Sequence, residues 1–465
     1  METTTNRQVV VEETPEFLRK AARARERLEA AGVKYVFASW VDVHGRPKAK
    51  AVPMSSFERV VRGSELYTVG ALDGMGPLGP NEDECSALPD LDSLTVCPWD
   101  HRYAWAASDL WWHGQHYAYD SRWILTQVLD QAANMGFVMN LGFEPEVYIL
   151  REGEGGDLQP FNPNDRGECW GYDVESTLDG MTFLDTVVGY LDELGWGVFS
   201  FDHEGGHSQY EFDFGYAPGI TSVDRFTFMR LMLKEAAKKF GAFATFMPKP
   251  FSDDFGSAAH HNISLADPAT GANLFADPND HRGVGYSELA YRFVGGMLKH
   301  AAAITAVTCP TVNSYKRLVG RGYMTMISWA PVYVRYGDNN RCLMLRLPGN
   351  RTCIENRAAD VSQNMYLGVA MALAAGLEGI KEGIDPGEPT GDDMYVLSRD
   401  ELTERGVESL PRTLLEAIRA FEVDPLSDQV FGPLKKPYLE LKYREWEEYH
   451  NIVTRWERDR YLHFF

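Results

Sequence analysis

Carboxylates stand at alternate positions in the segment Gly142-Phe143-Glu144-Pro145-Glu146-Val147-Tyr148-Ile149-Leu150. An extended strand repeats its side-chain direction every second residue, so Glu144, Glu146 and Tyr148 share one face, and Phe143, Val147 and Ile149 take the other. Two neighbouring carboxylates repel unless a proton or a cation lies between them. By itself the segment reads equally well as a solvated strand face. A second segment tips the balance: Asp202-His203-Glu204 ends one strand, and Gln209-Tyr210-Glu211-Phe212-Asp213-Phe214 alternates polar with aromatic residues. Glu211 and Asp213 then share a face while the aromatic rings bury the opposite one. Hard oxygen ligands of this kind suit Mg²⁺ or Mn²⁺ rather than zinc. The stretch Gly256-Ser257-Ala258-Ala259-His260 adds small residues, which let backbone approach a bound group, and an imidazole. A lone histidine is more often a satisfied core residue, and His260 gains weight only from its neighbours.

The opposite charge is concentrated elsewhere. The 49 residues between Glu288 and Asp338 contain no Asp or Glu, where the chain's average would place about seven. Arg292, Lys299, Lys316, Arg317, Arg321 and Arg335 lie in that stretch, and Arg341, Arg346, Arg351 and Arg357 follow. A buried helix pair accounts for the first part but not for the later arginines. The guanidinium fork suits carboxylate and phosphate. Carboxylates for hard cations beside an arginine-lined anion site point to phosphoryl transfer. No GxxxxGK[ST] pattern occurs, which argues against a P-loop nucleotidase.

The elements that must position these residues follow from pattern and punctuation. Thr14, Pro15 and Gly32 predict a helix over 15–31, after a tail over 1–13. A strand is expected over 33–42, within a small β-rich domain over 14–112. A larger catalytic domain over 113–465 opens with a helix capped by Ser121 and a β-rich stretch over 137–150. A loop over 151–176, a helix over 180–194, strands over 197–203 and 209–214, a helix over 222–240 and a strand over 242–247 come next. The C-terminal hundred residues read as helical, with charged helices near 411–421 and 437–459. The fold class is therefore α+β.

Composition sets the outer limits. With 465 residues and a formal net charge of −22, the chain has ample core but lacks the basic surface that coats nucleic acid or an anionic membrane. Met365–Leu377 is nearly apolar, yet shorter than the roughly 20 residues needed to span a bilayer. Six scattered cysteines form no CxxC pair, and the N-terminus has no apolar secretory stretch. Both point to the reducing cytoplasm.

Taken in order, the segments resemble the glutamine synthetase family. Lys249-Pro250-Phe251 through His260 and Ser264 fit its ATP-region signature, apart from Phe255 at a position usually small or an amide. Asn313-Ser314-Tyr315-Lys316-Arg317-Leu318, Val41-Asp42-Val43-His44-Gly45 and Glu445-Trp446-Glu447-Glu448-Tyr449 match further family strings. The resemblance implies a β-grasp-like N-terminal domain, a catalytic domain built on a curved antiparallel sheet, and homo-oligomeric stacked rings with active sites between subunits. It implies ATP, glutamate and an amine as substrates, with two or three Mg²⁺ or Mn²⁺ ions. Carried over by position, Glu146, Glu204 and Glu211 hold the metal nearer glutamate, and Glu144, His260 and Glu355 the metal on the ATP phosphates. Arg317 and Arg357 grip glutamate and the transferring phosphoryl group, Gly256 lies near the substrate, and Arg341 and Arg346 face phosphate. Tyr216, Asn262 and Ser264 fall on the nucleotide side. Asp42, from the neighbouring subunit, binds and deprotonates the amine.

Departures from the family pattern concern the amine. Glutamine synthetases usually carry a Gly-Tyr-Glu-Ala-Pro string whose Glu closes over ammonium, whereas Gly320–Pro331 holds no acid here and brings Met324, Met326 and Trp329. Asn262 stands where a His is common, and Cys353 where an Arg is common. These variants resemble the branch containing glutamate–methylamine ligase and related type III enzymes. The expected activity is ligation of glutamate to an alkylamine through γ-glutamyl phosphate, with ammonia as the alternative. A non-catalytic relative and a metal-dependent hydrolase are weaker readings.

Overall fold

The computed structural model describes residues 11–166, 171–320 and 329–465. Helix α1 (Pro15–Ala30) starts where expected: Thr14 accepts a hydrogen bond from the Phe17 amide, and Pro15 fills the first turn. Its Ala21, Ala24 and Leu28 pack on Val36, Ala38, Ala104 and Ala106 of a small sheet. Strands β1 (Tyr35–Val41) and β2 (Tyr103–Trp112) run parallel at its centre.

The second sheet carries ten strands among the described residues. Its spine is β3 (Val138–Glu152), β4 (Val198–His203), β5 (Gln209–Phe214), β6 (Ala259–Ala266), β7 (Tyr333–Asp338), β8 (Leu343–Leu347) and β9 (Ile354–Asn356). The order is β4-β5-β3-β6-β9-β8-β7, antiparallel except for the β7–β8 edge. One face buries Phe143, Val147, Ile149, Tyr210 and Phe212, together with residues of the helices behind them. The other carries the acidic residues. The α+β expectation holds.

Helices α2 (Ser121–Asn134), α3 (Val174–Glu193), α4 (Gly219–Lys238), α5 (Glu288–Lys299), α6 (Ala301–Thr308) and α7 (Met365–Glu382) back the sheet or pack on one another. The apolar run Met365–Leu377 is the buried core of α7. Helices α8 (Leu414–Val423), α9 (Pro425–Phe431) and α10 (Lys435–His450) close the chain's end.

Several boundaries differ from expectation. Asp120, not Ser121, caps α2 by accepting from the Arg122 amide, and carboxylate and hydroxyl serve this role about equally well. Helix α3 begins at Val174 because Asp173 caps it there, and α4 begins at Gly219, directly after Pro218. The strand expected over 242–247 is confined to Phe243–Thr245. The helix expected over 437–459 is broken: α10 ends at His450, and Thr454 starts a fresh helix with its own capping box. The β-branched run Ile452-Val453-Thr454 favours that interruption.

Candidate active site

Strand register assembles the carboxylates. Asp202 on β4 lies opposite Glu211 on β5, which lies opposite Glu146 on β3. Across the other edge of β3, Glu144 faces His260 on β6. Asn262 faces Glu355 on β9, and Glu355 faces Arg346 on β8. Because every pairing keeps the period of two, these side chains emerge on one face. Asp202, Asn262 and Glu355 stand outside it, while Glu144, Glu146, Glu211, His260 and Arg346 line, with Glu204, a cavity of about 540 Å³.

Within it, ligand atoms of Glu146, Glu204 and Glu211 lie within 4.8 Å of one another, and so do those of Glu144, Glu211 and His260. Glu211 belongs to both groups. Burial, reinforced by the charge of Glu204, pushes the Glu146 carboxyl up to about 8. Burial and the charges of Glu204, Glu144 and Glu146 also raise Glu211. Such repulsion is relieved by a cation, and a set of oxygens with one imidazole fits a hard divalent ion. His260 is held neutral by burial and by Arg357, which leaves a nitrogen lone pair free to ligate. Its Nδ1 sits 3.3 Å from Glu144 and 3.6 Å from Glu355.

Glu355 stands apart from the other acids. Burial would raise its pKa, but the charge of Arg357 leads the effects that outweigh burial and hold it below the usual range. Arg346 and Arg357 donate to it at 2.8 and 2.5 Å, so Glu355 joins the acidic cluster to the basic end. Arg317 donates to the carbonyls of Ala358 and Arg357 at 2.8 and 2.9 Å. A Cβ at Gly256 would lie 2.6 Å from the Arg317 Cγ; glycine lets Arg317 pass. Arg341 lies 5.1 Å from the Trp329 ring centre, a favourable cation–π contact.

The nucleotide-side candidates follow β6 outward, since His260, Asn262 and Ser264 share one strand face. A Cβ at Gly142 would lie in ordinary contact with the Cβ atoms of Tyr216 at 3.6 Å and Asn262 at 3.7 Å, which puts the exposed Tyr216 on the same side of the sheet as Asn262. Tyr216 and Ser264 lie outside the main cavity lining, and Asp42 does not reach the cavity of its own chain. Met324 and Met326 lie outside the described residues.

A profile of the glutamine synthetase catalytic domain matches residues 118–461. The chain belongs to the glutamine synthetase family. It is 39% identical over 445 residues to the glutamate–methylamine ligase of Methyloversatilis universalis, covering 96% of this chain and 99% of that protein. It is 34% identical over 442 residues to a glutamine synthetase of Rhizobium leguminosarum bv. phaseoli, covering 94% and 98%. Among solved structures, a GmaS/ADP complex superposes with a TM-score of 0.86 at 32% identity, covering 94% of this chain and 99% of that one. Apo GmaS superposes with a TM-score of 0.85 at 33% identity, covering 95% and 99%. As in other members of the family, the site calls for ATP and a divalent metal.

The structure adds residues to this family site that sequence reasoning passed over. Tyr172 lines the cavity together with Arg341. Its φ of 57° is rare for a bulky residue and typical of functional sites. The Gly171-Tyr172 pair in a Gly/Asn/Asp-rich loop was its only signal. Arg351 donates to Glu144 and, at 3.2 Å, to Asn262. It stands two residues before Cys353, ahead of β9, and brings a guanidinium to the Glu144 side of the site.

Proposed function

We propose that the chain is an ATP-dependent glutamate–alkylamine ligase, with methylamine as the amine. The observation that carries this reading is a single cavity in which carboxylate clusters sharing Glu211 face Arg317, Arg341, Arg346 and Arg357. The amine assignment is supported by the acid-free Gly320–Pro331 segment and by the similarity to a glutamate–methylamine ligase.

In the first step the γ-carboxylate of glutamate attacks the terminal phosphorus of ATP. A C–O–P linkage forms and the bond to the β-phosphate oxygen breaks, releasing ADP. Arg357 and Arg346 face the charge that spreads over the phosphoryl oxygens, and Arg317 orients glutamate. Mg²⁺ or Mn²⁺, two or three per site, held by Glu146, Glu204 and Glu211 and by Glu144, His260 and Glu355, would neutralise phosphate charge. In the second step the amine nitrogen attacks the acyl carbon and phosphate leaves. Asp42 of a neighbouring subunit takes the proton. Trp329 gives the cavity mouth an apolar surface that suits a methyl group. Tyr216, Asn262 and Ser264 hold the nucleotide.

This reading includes a homo-oligomer of stacked rings with sites between subunits, and a division into domains 14–112 and 113–465 after a tail over 1–13. It places the protein in the cytoplasm. Cys85, Cys97, Cys309, Cys342 and Cys353 are free and buried, and no helix among the described residues is long and apolar enough to cross a membrane.

The test is phosphate release dependent on both ATP and glutamate across a panel of amines, with trapping of the acyl phosphate. Methylamine is expected to show the highest kcat/KM. A preference for ammonia would return the chain to glutamine synthetase proper, and turnover without ATP would overturn the ligase reading.

A further inference from the structure

Asn364 is 4% exposed and caps α7, its Oδ1 accepting from the Tyr366 amide at 3.2 Å. Serine or aspartate would cap equally well. What asparagine adds beside the capping oxygen is an amide NH₂, and acceptors surround it. Nδ2 reaches the backbone carbonyls of Asp42 and Val43, each at 3.2 Å, and Ser121 Oγ at 2.8 Å. A buried amide is costly unless its hydrogen bonds are made, so this side chain holds the Asp42–Arg46 turn in one attitude.

The turn itself is stiff. Asp42 accepts at one carboxylate oxygen from the His44 and Arg46 amides, at 3.0 and 2.9 Å, and at the other from Lys48 at 3.0 Å. Gly45 has φ 72°, and a Cβ there would come within 2.9 Å of the Asn364 Cα. The turn therefore rests directly on Asn364. Moving back along the chain from Asn364, the segment 357–363 supplies Arg357 and the carbonyls that hold Arg317.

From this geometry we infer that Asn364 is a positioning residue for amine capture, aiming Asp42 at the site of the neighbouring subunit. The inference rests on the reading above that Asp42 serves that neighbour. Asn364 touches no substrate. It couples the arginine segment of its own site to the turn that completes the next one.

Co-expression of complementary variants tests this. Asn364→Ser keeps the helix cap and loses the amide NH₂ that reaches the turn, and Arg357→Gln disables the arginine side of a site. Alone, N364S is expected to raise the amine KM about tenfold while leaving the KM for ATP and glutamate unchanged. Mixed N364S and R357Q assemblies are expected to regain about a quarter of the wild-type turnover at low amine, because random neighbours rebuild some intact sites. A parallel mixture of Asp42→Asn with R357Q separates the two claims. Recovery with D42N but not with N364S overturns the role of Asn364. Recovery with neither overturns the reading of Asp42 in trans, and this inference with it. Asn364→Asp, which also keeps the cap, carries the same test if N364S does not fold.

Discussion

Glu211 answers to both carboxylate groups, so its loss removes a ligand from each. Glu211→Gln is expected to weaken divalent-ion binding by at least about 100-fold, read by calorimetric titration, with glutamate-dependent ADP formation falling in parallel. Its alternation with Tyr210 and Phe212 exposed it in the sequence, as the Glu144/Glu146 pair was exposed by period two. Trp329 predicts something different. It is half exposed, packs on Arg341 and lines the cavity. Trp329→Ala is expected to lower the methylamine-to-ammonia ratio of kcat/KM by about tenfold, the worth of one methyl group in an apolar pocket. Steady-state kinetics with both amines check it; an unchanged ratio would place the methyl group elsewhere.

Helix α5 crosses α7 at backbone contact. A Cβ at Gly296 would lie 1.9 Å from the Ala375 carbonyl oxygen and 2.7 Å from the Gly379 nitrogen. Neither atom can move without breaking α7, so Gly296→Ala is expected to cost at least about 2 kcal/mol, measured by urea unfolding. At the α5–α6 junction, buried His300 meets Asp424 through Nδ1 at 2.8 Å and Glu378 through Nε2 at 2.9 Å. Both partners only accept, so the ring donates twice and is cationic. Burial lowers its pKa, but the bonds to Asp424 and Glu378 outweigh burial and raise it. A raised folded-state pKa gives stability that is complete below about pH 6.5 and lost as pH rises through the folded value. Hydrogen-exchange protection of Leu414–Phe431 is therefore expected to fall as pH rises above about 6.5, and His300→Gln should flatten that profile.

At the scale of the molecule, the site is an acidic face built on strands whose apolar side is a continuous core. The core lies on the face away from the carboxylates, so folding is expected not to require a metal, and a bound cation would relieve the repulsion that the fold imposes. Chelation is therefore expected to abolish glutamate-dependent ADP formation while leaving far-UV circular dichroism intact. Restoring Mg²⁺ to 100 times its Kd should stabilise the protein by about 2.7 kcal/mol, seen as a rise in Tm. Unfolding on chelation would contradict this account. The same scale explains why Asp42 is absent from its own cavity: β1 carries it to a turn pinned by Asn364, which belongs to a different part of the chain.

Alternation, caps and order of motifs determined the α+β class, the acidic strands, the arginine-rich end and the family resemblance, because these depend on residues close in sequence. Boundaries such as the start of α3 and the break before Thr454 turned on which of several competent caps prevailed, and local pattern does not rank them. The sharing of Glu211, the tethering of Glu355 by Arg346 and Arg357, the place of Arg351 and the hold of Asn364 on Asp42 were decided by tertiary structure alone. Each joins segments far apart in sequence, and strand register and buried hydrogen bonds between distant segments leave no periodic trace in the chain that makes them.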